Sequence, residues 1–556
     1  MTRPWLAHYP TGVSTEEPSI EYASIGDMLE AGCRRNGAKT AVECLGASYT
    51  FTELEEKAED FGSYLQQIGL KRGDRVAVMM PNIGQFGIAT FGILRAGFVS
   101  VNVNPLYTAR ELRHQLIDSG AKAIVLVENF AATLEEVLHE TEVEHVIVAK
   151  LGDMLPPVKR ALVNLAVKHV KKMVPPFKLP QAVSFRQALK AGALKPMTRV
   201  EVGPDDVAFI QYTGGTTGVA KGATLLHRNV MANVAQSEAY NSIAWPGGGR
   251  VVMPLPLYHI FALAFSMLAT SKGYTQLLIP NPRDMKGFVK TLKGKPFFMM
   301  PGVNTLFAGL MNTPGFSDLD FSELSLTFGG GTATLKATSD QWQEVTGKPI
   351  LEGYGLSETS PVLTGNHAST TEFTGTVGMP VPGTDISLRN EEGHEVGPGE
   401  PGEICAKGPQ VFPGYWNRPE ATAEAFTPDG YFKTGDIAVL DEKGRLKIVD
   451  RKKDMIIVSG FNVYPTEIEG IIAELPGVLE CAVIGVPSEK TGEAPKAFII
   501  AKDPDLSEAD LKAHCRANLT AYKQPKVYEF VDELPKSPVG KVLRKELRAI
   551  EEGKAR

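Results

Sequence analysis

The densest concentration of phosphate-handling chemistry in this chain is YTGGTTGVAKG, residues 212–222. Gly214, Gly215 and Gly218 let backbone N–H groups turn inward around an anion. Thr213, Thr216 and Thr217 add hydroxyl donors, and Lys221 adds a charge. The stretch is not a Walker loop, in which a Ser or Thr follows the lysine and binds Mg²⁺; here Gly222 follows Lys221. A Mg²⁺ ligand must therefore come from the threonines before the lysine or from elsewhere in the chain.

Three further stretches supply what a nucleotide site still lacks. In EGYGLSETSP, residues 352–361, Tyr354 sits between Gly353 and Gly355, where it can offer a flat face to a base. Glu358 is a hard oxygen ligand suited to Mg²⁺, and Thr359 can donate to a phosphate. In DGYFKTGDIAVLDEKGRLKIVDRKKDMIIVSG, residues 429–460, Asp436 follows a tight turn and can accept both ribose hydroxyls, with Arg451 to assist. The intervening AVLDEKGRLKIV reads as a β-hairpin turning at Lys443–Gly444, which can hold these two residues in place. In LPKSPVGKVLRKEL, residues 534–547, Lys541 lies between a Pro/Gly turn and a basic helix, on a loop free to move.

These residues need a scaffold, and the first part of the chain provides one by pattern. DRVAVMMPN, FVSVNVN and AKAIVLVE read as strands, with IGQFGIATFGILRAG and ARELRHQLIDSG as helices between them. Repeated βαβ units imply a largely parallel sheet with helices on its faces. VAFIQYT reads as a strand entering the Gly/Thr loop, and LLHRNVMANVAQSEAY as the helix that follows. From about residue 375, Gly and Pro become dense and strands short, marking a small β-rich subdomain; the last hundred or so residues alternate in an α+β manner. The expected fold is α/β: an N-terminal domain, 1–449, of βαβ-type sheets with a β subdomain at about 375–449, then a short connection, 450–455, and a small mobile α+β domain, 456–556.

Composition narrows the function classes. The 556 residues suffice for more than one domain, and 43% hydrophobic with 22% charged residues is ordinary globular usage. The formal charge of −6 gives no reason to expect nucleic acid. Five scattered cysteines without CxxC spacing point away from zinc or a redox pair and towards a reducing cytosol. The N-terminus MTRPWLAHYPTGV lacks the apolar core of a signal peptide, so a cytoplasmic protein is expected. One segment departs from the average: residues 154–200 hold ten Lys/Arg and no Asp or Glu. Within it VKRALVNLAVKHVKKMV reads as an amphipathic helix, with Leu162, Val163, Ala166, Val170, Met173 and Val174 on one face and Arg160, Lys168, Lys171 and Lys172 on the other. It either docks on its own domain or lies on the cytoplasmic, inner surface of an anionic membrane.

YTGGTTGVAKG, EGYGLSET, YFKTGD and DRKKDMIIVSG, in this order, resemble the acyl-adenylate-forming superfamily. PLYHIFAL, PGVNTLF, GGGT and NPLYTARELRHQL are most similar to bacterial long-chain fatty acyl-CoA synthetases. The resemblance runs from about residue 24 onward. It implies two steps: a fatty carboxylate attacks the α-phosphate of MgATP, releasing pyrophosphate, and CoA thiol then displaces AMP. By that resemblance, Thr213, Gly214, Gly215, Thr216, Thr217, Gly218 and Lys221 hold the phosphates that leave. Tyr354 with Gly355 and the backbone at Gly329, Gly330 and Gly331 holds adenine, Asp436 and Arg451 the ribose, Thr359 the α-phosphate, and Glu358 with Thr213 the Mg²⁺. Lys541 bridges carboxylate and α-phosphate in the transition state. His259 orients the acyl group beside Phe261, Leu263 and Phe265. The C-terminal domain turns about Lys453, presenting Ser459 and Gly460 to CoA in the second step. Some long-chain relatives place a tryptophan gate four residues after the histidine; here that residue is Leu263, so any gate differs.

Two other acceptors or substrates fit the same motifs: a carrier protein loaded by a fatty acyl-AMP ligase, and medium-chain or aromatic acids joined to CoA. No Asp lies in PLYHIFALAFSML to hold a substrate ammonium, which argues against amino acids. A homodimer is compatible with the sequence.

Overall fold

The computed structural model describes residues 3–213, 220–242, 245, 247–459, 461–488, 490–537 and 540–554. Two large sheets form the body. In an eight-stranded sheet the strands Arg75–Met79, Val99–Asn102, Ala123–Val127, His145–Ala149 and Val207–Thr213 run parallel. These are the apolar runs read as strands. The two expected helices lie between them, at Gly84–Arg95 and Ala109–Ser119. The central strands are buried along their whole length, because helices cover both faces and only a near-continuous hydrophobic run fits there. A nine-stranded sheet carries Leu326–Gly329 and Leu351–Gly355, so the glycine-rich ends of both strands project on one side.

The expected helix forms over His227–Tyr240, but it does not follow the Gly/Thr stretch directly. A strand, Lys221–Leu226, comes first and returns antiparallel to Val207–Thr213, with Thr213 opposite Lys221. The returning strand is held on its other edge by Gly414–Tyr415, a pairing 190 residues distant that no local pattern announces.

The β-rich region is a four-stranded antiparallel sheet, Asp385–Arg389, Gly402–Lys407, Phe432–Leu440 and Leu446–Arg451. Its core is completed from afar by Trp5, fully buried against Leu388, Ile404 and Leu446. Gly444, at φ +80° in the hairpin turn, lies so close to Trp5 that a Cβ would meet the Trp5 backbone nitrogen at 2.4 Å. The last part of the chain has its own core, built on Ile456, Val463, Ile468, Val483, Ile499 and Leu511 beneath a mixed five-stranded sheet. No described helix is long and apolar enough to cross a membrane.

Candidate active site

The functional stretches converge on one cleft. Its cavity, of about 200 Å³, runs from Gly353, Tyr354 and Gly355 past Gly329–Gly331 and His259 to Phe261, Phe265, Tyr240 and Trp245. One end is therefore glycine backbone and the other is aromatic.

At the polar end Asp436 is 4% exposed and both its carboxylate oxygens are engaged. Tyr354 donates its hydroxyl to one at 2.7 Å, and Arg451 Nε lies 3.1 Å from the other. Asp436 and Arg451 are directly opposed across the hairpin, so strand register sets their spacing. Tyr354, expected to face a base, presents its ring to the cavity while its hydroxyl is fixed by Asp436. Thr359 is fully buried and closes its own turn: its hydroxyl donates to the Pro361 carbonyl and accepts from the Leu356 N–H at 3.0 Å.

Glu358 is buried, and loss of water pushes its carboxyl upward; a hydrogen bond from Tyr415 and the charge of Arg451 act the other way. The Tyr415 hydroxyl donates to Glu358 Oε1 at 2.9 Å, and Lys221 Nζ stands 5.1 Å from the centre of the same ring. Tyr415 thus links the phosphate-loop lysine to the acidic residue. The sequence reading missed it, because its role comes from the distant pairing of Gly414–Tyr415 with Ala223 and Thr224. An aromatic residue inside the Gly/Pro-rich VFPGYW was the available signal. Thr213 and Lys221 stand opposite each other at the base of the hairpin. Gly214, Gly215, Thr216, Thr217 and Gly218 lie outside the described residues. Among the described residues no three His, Cys, Asp or Glu side chains cluster as a metal site.

At the apolar end His259 caps the helix Ile260–Lys272 and faces the cavity. Burial pushes its imidazole down to about 4, so it is neutral at ordinary pH. Its ring makes no hydrogen bond among the described residues, leaving both nitrogens to a bound group. Phe261 and Phe265, one helical turn apart, pack edge to face at 5.4 Å and line the cavity together. Leu263 does not join them. Two residues along a helix is about 200° of rotation, and it faces a separate, smaller cavity among Leu29, Tyr49, Phe86 and Leu257. Trp245 was not anticipated at the closed end, where it stacks edge-on to Tyr274 at 5.7 Å.

Lys541 comes from the far C-terminal part. Its loop rests on the helix Asn304–Met311: a Cβ on Gly540 would stand 2.9 Å from Thr305 Oγ1. Loss of water, then repulsion from Arg451, push the Lys541 ammonium from its ordinary 10.5 down to about 8, while the attraction of Asp436 partly offsets both. Lys541 is therefore within electrostatic reach of Asp436 and Arg451, though it forms a salt bridge with no carboxylate among the described residues. Lys453 lies between two oppositely tethered neighbours. Lys452 is tied to the N-terminal side by Glu403 at 2.9 Å and the Gly435 carbonyl at 2.9 Å. Asp454 is tied to the C-terminal helix by Arg548 at 2.8 Å. Ser459 is exposed, with its N–H on the Thr491 carbonyl, and Gly460 lies outside the described residues.

The cleft thus combines a buried carboxylate–arginine pair, an apolar pocket and a lysine from the C-terminal part of the chain within electrostatic reach of the pair. Residues 29–416 match the AMP-binding enzyme family and residues 467–541 its C-terminal domain. The chain belongs to the AMP-binding enzyme family, whose members use ATP and CoA. It is 52% identical over 557 residues to a long-chain-fatty-acid–CoA ligase of Escherichia coli O157:H7, covering 100% of this chain and 99% of that one. It is also 52% identical over 551 residues to the protein of that name from Yersinia pestis, covering 99% and 98%. An anthranilate CoA ligase solved in complex with anthranoyl-AMP superposes with a TM-score of 0.83 at 25% identity, over 96% of this chain and 98% of that one. The α/β body with a small C-terminal domain is the architecture of those structures.

Proposed function

We propose that this enzyme converts long-chain fatty acids to acyl-CoA through an acyl-adenylate, with release of pyrophosphate and AMP. The observation that carries this reading is the aromatic-lined cavity that Tyr354 and His259 share, with the Tyr354 hydroxyl held by the buried Asp436–Arg451 pair and Lys541 within electrostatic reach of that pair. Full-length similarity to long-chain-fatty-acid–CoA ligases supports the choice of acid.

In the first step a carboxylate oxygen attacks the α-phosphorus, the α–β anhydride breaks, and pyrophosphate leaves. Lys541 offsets the negative charge gathering between carboxylate and phosphate, and neutral His259 positions the acyl group. Asp436 takes the ribose hydroxyls, Tyr354 and the Gly329–Gly331 backbone take the base, and Lys221 with its loop takes the departing phosphates. Glu358 and Thr213 are the protein groups suited to Mg²⁺. One buried carboxylate fits an ion that obtains its other oxygens from substrate phosphates and water. In the second step the thiol sulfur attacks the acyl carbon, AMP departs, and the thiol proton passes to solvent or phosphate.

The opposite tethers on Lys452 and Asp454 support Lys453 as the pivot of a hinge at 450–455, between domains at 1–449 and 456–556. Ser459, with its exposed neighbours Ile457 and Phe461, is then the surface that turns towards CoA. The test is AMP release with CoA for acids from butyrate to stearate, with coumarate and ferulate alongside. A maximum among the long-chain acids is expected; a higher rate with either aromatic acid refutes the substrate assignment. Replacing CoA by holo carrier protein separates the two acceptors.

A further inference from the structure

The basic segment anticipated as amphipathic is folded against its own domain, yet it leaves most of its large apolar side chains outside. It forms an α-helix over Pro157–Leu165, continued by a π turn over Ala166–Val170. The side facing the protein is held largely by polar contacts. Asn164 Oδ1 accepts the Gly152 N–H at 2.8 Å, Lys159 reaches the Gly46 carbonyl at 3.3 Å, and Asn129 holds the Met173 carbonyl at 2.9 Å. Only Val167 is buried. The large apolar side chains point the other way: Val158 is 75% exposed, Leu162 63%, Leu165 58%, Val170 73% and Met173 53%. Val158, Leu162 and Leu165 follow helical spacing, so they form one stripe. The segment is thus seated on its own domain, with polar anchors on the inward side that leave the leucines outside.

In the turn that continues the stripe and just after it, Lys168, Lys171 and Lys172 are all exposed and none is paired with a carboxylate among the described residues. The surrounding 154–200 region has ten basic and no acidic residues. We propose that this face is a docking surface for an anionic lipid bilayer, with Leu162 and Leu165 entering the headgroup boundary and the lysines meeting lipid phosphates. Apolar insertion plus basic residues at the rim is the combination such a surface selects. A second copy of the chain is disfavoured by the same charges, since pairing this face with itself would oppose lysines to lysines. The proposal rests on this face alone and does not depend on which acid the enzyme activates. The segment is tied through Gly46 and, via Gln85 and the Lys150 carbonyl, through the start of helix Gly84–Arg95. It therefore holds the body of the N-terminal domain against the lipid rather than tethering it loosely.

The experiment is flotation of the full chain with vesicles of phosphatidylglycerol and phosphatidylethanolamine, and with pure phosphatidylcholine vesicles. Binding to the anionic vesicles is expected, weakening with salt. The triple variant Lys168→Glu, Lys171→Glu, Lys172→Glu should lower the partition coefficient at least about 30-fold, since each basic residue near such a surface contributes several-fold. Leu162→Asp with Leu165→Asp should abolish binding even at low salt. AMP release with a water-soluble short acid should be unchanged in both variants, which reports intact folding. As a second readout, Leu165→Trp should shift its emission to the blue on anionic vesicles only. No flotation of the parent protein, equal flotation of the variants, or a change in sedimentation mass caused by the leucine substitutions would each overturn the proposal, the last by showing a protein interface instead.

Discussion

The removal of the Lys541 ammonium gives the sharpest test of the active-site reading. Its displacement from 10.5 to about 8 corresponds to about 3 kcal/mol held against the ammonium by lost hydration and by Arg451. Negative charge building at the α-phosphate relieves that penalty, so the interaction is stronger in the transition state than before it. Lys541→Ala should therefore slow adenylation by about 10²–10³-fold, the usual cost of deleting one such stabilising group. It should leave the second step, thioester formation from supplied acyl-adenylate, within about threefold of the parent, because that step needs no ammonium at this position. The sign of the pH dependence follows: the ammonium is present below its pKa and lost above it. kcat/KM for ATP, which reports the free enzyme, should decline as pH rises through about 8. kcat should decline at higher pH, because bound phosphates favour the charged form. The assays are pyrophosphate release for the first step and CoA consumption with synthetic acyl-adenylate for the second. Equal loss of both steps, or a kcat/KM flat to about pH 9.5, would falsify the assignment of Lys541 to adenylation alone.

Asp436→Asn should raise KM for ATP by about 10–100-fold, the loss of charged hydrogen bonds to ribose. It should also move the basic limb of kcat/KM to lower pH, since Asp436 favours the Lys541 ammonium. Gly330→Ala would put a methyl group 2.9 Å from Phe261 Cζ and press that ring into the acyl pocket; activity on long acids should fall more than on short ones in AMP-release assays. Asp450 accepts the Thr466 N–H at 2.7 Å across the hinge and lies 3.5 Å from Arg544, contacts that turning about Lys453 would break. Asp450→Asn should therefore slow adenylation severalfold relative to thioester formation, measured as the ratio of the two half-reactions.

Much of this site could be read from the sequence because its parts are local. A strand ending in glycines, a hairpin turning at Lys443–Gly444 and a lysine after a Pro/Gly turn each depend on neighbours in the chain. The register that opposes Asp436 to Arg451 follows from that one hairpin. The amphipathic pattern of residues 158–174 was equally plain, but not its direction. Which face turns outward depends on Gly152, Gly46 and Asn129, which supply polar anchors for the inner face.

The βαβ body, the family and the small C-terminal unit were legible in the chain alone, because periodicity, turn chemistry and short motifs act over a few residues. Folding in three dimensions was needed to return Lys221–Leu226 antiparallel to Val207–Thr213, to join Lys221 to Glu358 through Tyr415, and to turn Leu263 away from the pocket lined by Phe261 and Phe265. It also brought Lys541 within electrostatic reach of Asp436 and Arg451. These are contacts between segments far apart in the chain, such as Ala223 with Tyr415 and Thr305 with Gly540. They are fixed by strand pairing and by burial of side chains against distant partners, which no window of the sequence contains.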